Sequence, residues 1–432
     1  MSKPSIAAPV GSTVQGVTFV AGGLGAVKGL RVAGVSAGFR RHPERKDLAL
    51  VVAEQPAIAT GVFTQNSFCA APVTVSREHL AASRGKGMRA VILNSGNANA
   101  ATGEPGLQTA LATARLVASE LGCEPQQILV ASTGVIGQTL GLEHFASGVP
   151  QALLALGAAD GSAHAAGLAA AQAIMTTDTV PKQAAVTFVA PQADGSELTY
   201  TLGGIAKGSG MIQPNMATLL GVLATDAPLA QEAADQALRQ AMQLSFNKVT
   251  IDSDTSTNDS VFLLATAAAG GAVVGVESPV FFAFQTALEV LTEDLARQIA
   301  YDGEGATKLV TVNVAGAASA ADADLAARSV ANSPLVKTAV AGHDANWGRV
   351  AMALGKSGAR FAQQDVDIAI MGLPVCSKGL NQPFDEAEAL RRFDGYAEIV
   401  IDIDLGAGTE ASRIWTCDFT HDYISINGDY RT

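Results

Sequence analysis

The stretch KGSGMIQPNMATLLGVLATD, residues 207–226, changes character at its middle. Its first half contains two glycines and a proline, which is typical of an irregular segment. From residue 217 to residue 224 the chain is almost wholly apolar, which predicts a buried strand. One hydroxyl, that of Thr218, lies at the junction behind the small residue Ala217. The sequence therefore places a polar side chain where an irregular segment enters a buried strand.

Patterns elsewhere predict a layered protein of mixed α/β or α+β class. Apolar or alternating runs predict strands at residues 48–54, 88–94, 128–133, 184–190 and 399–405. Apolar residues at helical spacing predict helices at residues 107–121, 229–242 and 279–299. The Ala/Asp-rich residues 315–327 are expected to form a surface excursion.

Composition and charge narrow the class of protein. The chain has 432 residues, 48% of them hydrophobic and 16% charged, and a net charge of −12, which argues against nucleic acid or an anionic membrane as main partner. Its four cysteines include no C-x-x-C pair, so reduced thiols are expected. We find no signal peptide and no apolar run of the ~20 residues needed to span a bilayer. A soluble, cytoplasmic protein is expected.

Motifs for cofactors and metals are incomplete. LGKSG (354–358) has Val350 where a phosphate loop needs glycine, and GGLGAVKG (22–29) has Lys28 at the third glycine of a dinucleotide motif. GVSAG (34–38) is followed by charged residues and a proline, not by the helix of a nucleophile elbow. The six histidines form no H-x-x-x-H pair. Neither a metal nor a cofactor is predicted.

The chemistry of Thr218 has two interpretations on the residues alone. A buried threonine at the start of a strand commonly bonds a neighbouring carbonyl. Alternatively, an N-terminal threonine is a nucleophile because its own α-amine, with a pKa of about 7.7–8, can accept the hydroxyl proton. An internal threonine would first require scission of the preceding peptide bond, and the small Ala217 beside a glycine-containing segment suits such a cut.

The segment K-G-S-G-M-x-x-P-N-M-A-T-L-L resembles the self-processing segment of the glutamate N-acetyltransferase/ornithine acetyltransferase family of arginine biosynthesis. The similarity continues in GVFTQNSFCAAPV (61–73), NSGNANAATGEPG (94–106), ASTGVIG (131–137), MTTDT (175–179), FNKVTIDSDTSTND (246–259), DGEGATK (302–308), GHDANWGR (342–349) and YISINGDYRT (423–432). Two positions depart from the family pattern: Ala101, where cysteine is expected, and Ser253, where glycine is expected. The many motifs occur in the family's order, and only the region before residue 61 matches less sharply.

This resemblance implies a precursor that cuts itself between Ala217 and Thr218. Residues 1–217 would form an α chain and residues 218–432 a β chain that stay associated as an α2β2 heterotetramer. The implied fold is an α/β/β/α sandwich like that of the N-terminal-nucleophile hydrolases, with different connectivity. The implied reaction is ping-pong transfer of acetyl from N2-acetyl-L-ornithine to L-glutamate through acetyl-Thr218, without a cofactor.

The resemblance also implies the site residues. Thr133, by its hydroxyl, and Gly134, by its backbone N–H, would stabilise the oxyanion. Substrate binding would fall to Thr176 or Thr177, Lys207, Glu304, Asn427 and Thr432, besides Thr218 itself. Both substrates carry an α-carboxylate, which suits the cationic Lys207, and the amine of ornithine suits Glu304.

Acetyl-CoA as a second acetyl donor is left open by the sequence. Two other functions also remain open at this point. One is a self-processing aminopeptidase of related fold, and the other is a non-catalytic amino-acid-binding protein with an intact chain.

Overall fold

The computed structural model describes residues 4–40, 42, 44–157, 162–192, 195–213 and 219–429. In chain order its strands are β1 (Thr13–Val14), β2 (Val17–Val20), β3 (Leu30–Val35), β4 (Leu48–Phe63), β5 (Met88–Asn97), β6 (Ile128–Val135), β7 (Lys182–Pro191), β8 (Glu197–Lys207), β9 (Leu220–Thr225), β10 (Ser260–Ala265), β11 (Leu309–Ala317), β12 (Asp367–Ile370), β13 (Leu373–Ser377), β14 (Leu380–Asn381), β15 (Glu398–Asp404) and β16 (Glu410–Cys417). Its helices are α1 (Ala71–Ser83), α2 (Gly103–Leu121), α3 (Glu143–Gly157), α4 (Ala163–Ala173), α5 (Gln231–Leu244), α6 (Pro279–Tyr301), α7 (Ala320–Ala331), α8 (Pro334–Ala341), α9 (Trp347–Gly355), α10 (Glu386–Gly395) and α11 (His421–Asp429). No helix within these ranges is long and apolar enough to cross a lipid bilayer.

The long strand β4 belongs to two sheets. Residues 58–63 pair with β10 in sheet A, whose order is β1-β2-β7-β8-β9-β10-β4. Residues 48–53 pair with β3 and β5 in sheet B, whose order is β3-β4-β5-β6. Residues 54–56 between them are exposed, and the β4–β5 register shifts there, as in a β-bulge. β4 therefore bends as it passes from one sheet to the other.

Side-chain alternation in β10 shows how the layers are stacked. Val261 and Leu263 belong to a core formed with α5 and α6 on the outer face of sheet A. Phe262 and Leu264 belong to a second core, between sheets A and B. A third core lies between the outer face of sheet B and α1, α2 and α3. The order helices, sheet, sheet, helices confirms the predicted α/β/β/α sandwich.

A further sheet, sheet C, has the order β14-β13-β12-β15-β11-β16 and packs against α7, α8, α9 and α10. The surface excursion predicted for residues 315–327 is wrong, because these residues form the end of β11 and most of α7. Ser319 caps α7 by accepting a hydrogen bond from the backbone N–H of Asp322 at 3.1 Å. Alanines at helical spacing, Ala323 and Ala327 among them, are buried in the core of sheet C. Alanine is both the best helix former and small enough for a tight core, so a low-hydrophobicity stretch is buried here.

The other predicted elements are confirmed with different ends. The five strands predicted outside residues 207–226 are β4, β5, β6, β7 and β15, and the three helices are α2, α5 and α6. In β15 the predicted alternation holds, since Ile401 and Ile403 are buried whereas Asp402 and Asp404 are exposed. The strand predicted at 217–224 is observed as β9, and the first two residues of the predicted range lie outside the described residues.

Truncating a buried residue of sheet A tests how much the sandwich core contributes to the free energy of unfolding. Leu263 is 0% exposed in β10, so we expect Leu263→Ala to lower the free energy of unfolding by about 2–5 kcal/mol. The matched control is Leu154→Ala in α3, a leucine 77% exposed, with an expected change within about 0.5 kcal/mol. Urea unfolding followed by circular dichroism measures both, and equal midpoints would contradict the layer assignment.

Candidate active site

A cleft of about 230 Å³ lies where β6 and β8 end and where the chain approaches β10. Leu219, at the entry to β9, lines a smaller adjoining cavity of about 20 Å³. Seven of the predicted site residues line the cleft: Thr133, Gly134, Thr176, Thr177, Lys207, Glu304 and Asn427. The predicted nucleophile Thr218, its neighbour Ala217 and the terminal Thr432 lie outside the described residues. The fold thus brings together residues from distant parts of the chain.

Gly134, near the end of β6, adopts a backbone conformation that other residues rarely take. Its φ is 134°, and a Cβ atom at this position would lie 2.3 Å from the carbonyl carbon of Gly96 in β5. The β5–β6 ladder is irregular here, since Thr133 is opposite both Ser95 and Asn97. Such a bulge redirects side chains at the end of a strand. This turn brings Thr133 and Gly134 to the wall of the cleft.

Asn258 joins the two sheets beside this turn. Its side chain is buried and donates hydrogen bonds to the carbonyl oxygens of Ala98, at 2.5 Å, and Ser132, at 2.8 Å. The Ser132 hydroxyl in turn donates to Oδ1 of Asn94 at 2.6 Å. Buried polar groups are stable only when paired in this way. The network fixes Thr133 of sheet B relative to the start of β10 in sheet A.

Lys182 lies in a buried ion network beneath the cleft. Its Nζ is 2.6 Å from Oδ1 of Asp178 and 2.6 Å from Oδ2 of Asp302, with all three side chains at most 2% exposed. Burial alone would lower the pKa of Lys182, but the two carboxylates outweigh it and the pKa is raised. Burial alone would raise the pKa of Asp178, but Lys182 and Lys207 hold it below its usual range.

Asp178 also organises the residues above it. Its carboxylate accepts hydrogen bonds from the backbone N–H groups of Gly208, at 2.8 Å, and Thr176, at 2.9 Å. The hydroxyl of Thr176 lies 3.4 Å from the same carboxylate. Within the described ranges, the Thr177 hydroxyl has no such partner. Asp178 therefore fixes both the loop that carries Thr177 and the segment that follows Lys207.

Lys207 places a buried cation at the end of β8. The residue is 8% exposed, and its Nζ lies 3.5 Å from the hydroxyl oxygen of Thr133. Burial lowers its pKa, an effect that Asp178 opposes and the nearby Lys182 reinforces. The lysine is thus held next to the predicted oxyanion-binding turn.

Glu304 and Asn427 meet on another wall of the cleft. Asn427, on α11, donates to Oε2 of Glu304 at 2.7 Å and to the carbonyl oxygen of Tyr423 at 3.0 Å. Glu304 is buried, and a Cβ atom on Gly210 would lie 2.4 Å from its Oε2. Glycine at 210 therefore permits the close approach of this carboxylate.

Two further acidic residues that line the same cleft, Asp252 and Asp254, were not predicted as site residues from the sequence. Asp252 accepts hydrogen bonds from the N–H groups of Met211, at 2.6 Å, and Ile212, at 2.8 Å, which fixes the segment after Gly210. Burial, together with Asp252, raises the pKa of Asp254. The sequence signal for them was the polar run IDSDTSTND directly before an apolar strand. The cleft is thus lined both by a cation, Lys207, and by carboxylates, which suits a zwitterionic amino acid.

Removal of the buried cation should destabilise the protein in a pH-dependent way. Lys182→Met leaves buried carboxylates uncompensated, so we expect a loss of about 3–5 kcal/mol in the free energy of unfolding at pH 7. The lowered pKa of Asp178 stabilises the protein above about pH 4, and this contribution is lost as the pH falls. The raised pKa of Lys182 contributes below about pH 10 and is lost as the pH rises further.

The difference between wild type and Lys182→Met should therefore shrink below about pH 4, where carboxyl groups bind protons. Urea unfolding at several pH values measures it. Lys86→Met, at an exposed lysine, is the matched control and should leave the unfolding midpoint nearly unchanged. A pH-independent difference would contradict the ion network.

Comparison with known proteins extends over almost the whole chain. A model of the ArgJ family matches residues 31–432. The arginine biosynthesis bifunctional protein ArgJ of Symbiobacterium thermophilum is 46% identical over 415 residues, covering 96% of this chain and 100% of that protein. The protein of the same name from Bacillus subtilis is 42% identical over 413 residues, covering 96% of this chain and 97% of its own.

Two solved structures are also similar. A chain of the arginine biosynthesis bifunctional protein argJ from Bacillus halodurans is 40% identical, with a TM-score of 0.47, and covers 48% of this chain and 98% of its own. A chain of ornithine acetyltransferase complexed with ornithine, from Mycobacterium tuberculosis, is 39% identical, with a TM-score of 0.39, and covers 46% of this chain and 100% of its own. On the extent of the family match and the identity to full-length relatives, this chain belongs to the ArgJ family.

Proposed function

We propose that this chain transfers an acetyl group from N2-acetyl-L-ornithine to L-glutamate through an ester on Thr218. Its family makes the chain an acyltransferase of arginine biosynthesis. The observation that carries the mechanism is the convergence of Thr133, Gly134 and Lys207 at cavities that also reach Leu219, the residue after Thr218. The turn proposed to bind the oxyanion and the lysine proposed to bind a carboxylate therefore meet at a cavity that the residue after Thr218 lines.

Self-cleavage between Ala217 and Thr218 would yield the α chain, residues 1–217, and the β chain, residues 218–432. The arrangement of strands supports this cut. β8 ends at Lys207 and its antiparallel neighbour β9 begins at Leu220, so the scissile bond lies between two strands and breaks neither. β9 and β10, both from the β chain, lie between β8 and β4 of the α chain. The fragments would remain joined by backbone ladders on both sides.

The amine freed at Thr218 would serve as its general base. With an unperturbed pKa of about 7.7–8, an α-amine is partly neutral at working pH and can accept the hydroxyl proton. Leu220 in β9 and Ala131 in β6 both face the space between sheets A and B. Thr218 and Thr133 are each two residues along the chain from one of these two positions.

In the first half-reaction Thr218 Oγ attacks the acetyl carbonyl carbon of acetylornithine. The Thr133 hydroxyl and the Gly134 N–H donate to the oxyanion, each donor contributing about 3–4 kcal/mol in the transition state. The amine transfers the hydroxyl proton to the departing nitrogen, and ornithine leaves. In the second half-reaction the amine of glutamate attacks the ester and regenerates Thr218. Water would have to be excluded during this step, because hydrolysis of the ester would lose the acetyl group.

Charge complementarity suggests how the substrates are held. Lys207 would bind the α-carboxylate common to both amino acids, and Glu304, supported by Asn427, would bind the amine of ornithine. Of the two threonines in MTTDT, we assign substrate contact to Thr177, because the hydroxyl of Thr176 faces Asp178. A contact from Thr432 stays a prediction.

Replacement of the nucleophile tests the proposal. Wild-type protein should run as two fragments on a denaturing gel, with a new N-terminus at Thr218 by intact mass, and the fragments should elute together on native gel filtration. Thr218→Ala should give one uncut band and no acetyl transfer, because both steps need the hydroxyl. Cut protein or normal turnover from Thr218→Ala would overturn the mechanism.

A second activity, acetylation of glutamate by acetyl-CoA, is part of the proposal. It is supported by the name of the full-length relatives, which calls them bifunctional. The measurement is N-acetylglutamate formation from acetyl-CoA and glutamate without acetylornithine. Product from wild type but not from Thr218→Ala is expected, since both donors would acetylate the same hydroxyl. Absence of product with wild type, under conditions where acetylornithine reacts, would restrict the enzyme to acetylornithine.

Other expectations from the sequence remain predictions. They are the α2β2 assembly and the cytoplasmic location. The reaction as written uses no cofactor. Family membership favours acetyl transfer over the aminopeptidase and the amino-acid-binding protein considered above.

A further inference from the structure

Tyr423, on α11, lines the cleft but has no part in the reaction described above. Its ring stacks on that of Phe419, with 4.6 Å between the ring centroids and 21° between the ring planes. The hydroxyl of Thr420, directly before α11, donates to the carbonyl oxygen of Gly305 at 2.7 Å. A Cβ atom on Gly305 would lie 2.6 Å from the backbone nitrogen of Tyr423, so glycine permits this close packing. The start of α11 thus holds Tyr423 against the chain segment that carries Glu304.

The hydroxyl group of Tyr423 lies among carboxylates. Its oxygen is 3.5 Å from Oδ2 of Asp252, at the long limit of a hydrogen bond. Burial raises the pKa of Tyr423, and three carboxylates raise it further, those of Asp252, Glu304 and Asp254. All four residues line the cleft, and we call them the acidic corner. The hydroxyl is therefore neutral near pH 7, where even an unperturbed tyrosine, with a pKa of about 10, keeps its proton.

The two amino acids of the proposed reaction carry opposite charges at the ends of their side chains. In N2-acetyl-L-ornithine the α-nitrogen bears the acetyl group, so the free ammonium is at the end of the side chain. Glutamate has to present its α-amine to the same acetyl group, so its side chain takes the place of the donor's and ends in a carboxylate. With both α-carboxylates bound at Lys207, the part of the cleft that receives the ammonium in one half-reaction receives the carboxylate in the other.

Carboxylates alone do not suit both ligands. Glu304 and Asp254 attract an ammonium group but repel the side-chain carboxylate of glutamate. The repulsion is weakly screened at Glu304, which is 6% exposed. A further lysine would repel the ammonium for the same reason. A neutral hydroxyl avoids both repulsions, because one oxygen offers a donor hydrogen and acceptor lone pairs.

We propose that the Tyr423 hydroxyl allows the acidic corner to bind both side chains: it accepts a hydrogen bond from the ammonium of ornithine and donates one to the side-chain carboxylate of glutamate. With the ammonium bound, the hydroxyl hydrogen points to Asp252 and a lone pair faces the ligand. With glutamate bound, the hydrogen turns from Asp252 to the ligand. The contact with Asp252 is long, so little is lost when it is exchanged.

This inference rests on the function proposed above and deepens it by naming a specificity-determining residue. No covalent bond forms or breaks in the exchange, and the proton stays on the phenol oxygen. The family resemblance implied no role for Tyr423.

Ping-pong kinetics separate the two half-reactions. The value of kcat/KM for acetylornithine reports the first and that for glutamate the second, and their ratio does not depend on the fraction of enzyme that is active. Tyr423→Phe removes only the hydroxyl and keeps a ring against Phe419. We expect kcat/KM for glutamate to fall roughly 10-fold or more, as for loss of a hydrogen bond to a charged group. The value for acetylornithine should change by no more than about threefold, because the carboxylates that bind the ammonium remain.

The matched control is Tyr396→Phe. Tyr396 is 49% exposed directly after α10 and is not among the described residues that line the cleft. Both kcat/KM values of this variant should therefore equal those of wild type.

A second variant should shift the ratio in the opposite direction. Asp254→Asn removes one carboxylate from the acidic corner at an exposed position, where the fold should tolerate the change. We expect kcat/KM for acetylornithine to fall roughly two- to fivefold, because an attractive charge is lost, and that for glutamate to stay constant or rise, because a repulsive one is lost. This variant keeps the test decisive if Tyr423→Phe does not fold, and an unchanged ratio in Asp254→Asn would contradict binding of the side chains at the acidic corner.

Equal losses of both kcat/KM values in Tyr423→Phe would show a purely structural role and overturn the proposal. A glutamate value equal to that of wild type, or a loss confined to acetylornithine, would overturn it as well. Failure of the underlying function looks different, because wild type itself would then transfer no acetyl group from acetylornithine to glutamate. Failure of this inference alone leaves wild type active, with the ratio unchanged in Tyr423→Phe.

Discussion

The pairing of β9 with β8 on one side and with β10 on the other is the constraint on which the active site depends. These ladders place Leu220 opposite both Lys207 and Ser260, so the ends of three strands meet at one end of sheet A. Strand registers do not slip where both faces are buried, because a slip of one residue would turn every apolar side chain to the wrong core. Both faces of β9 and β10 are buried. The sandwich core therefore positions the strand ends, and the polar contacts of Asn258 and Asp178 then fix the segments that follow them.

The polar contacts then determine the charge of the site. Lys182 is paired with two carboxylates and is electrostatically satisfied, which leaves Lys207 as the cation at the cleft. A single buried lysine there attracts a carboxylate ligand more strongly than an exposed one would, because the surroundings screen charge weakly. The same burial raises the pKa of Asp259 well above its usual value. Burial therefore lowers the pKa of Lys207 and raises that of Asp259, and in each case it favours the uncharged form.

The sequence predicted features that depend on local pattern. Apolar runs located β4, β5, β6, β7 and β9 of the sandwich but not its other strands, and alternation in residues 399–405 gave the correct buried face. The Thr218 junction was recognised, but residues alone left its chemistry open, and the family resemblance supplied the other site positions. Asn258 was not predicted, because its role comes from a contact with Ser132, which is 126 residues away along the chain. Sheet C and the helices that pack against it were also not predicted as a unit. In alanine-rich helices such as α7, the buried and exposed faces differ little in hydrophobicity, so the pattern is weak.

The bend in β4 has a mechanical consequence for the whole enzyme. A single strand of 16 residues is hydrogen-bonded into both sheets, and Asn258 bridges them again near the cleft. If the two sheets moved apart at one end, β4 would lose backbone hydrogen bonds to its partners in sheet A or in sheet B. Donor and acceptor amino acids of different length must therefore be accommodated by rotation of side chains within an almost rigid frame. The rate of turnover would then be limited by small local adjustments and not by movement of whole layers.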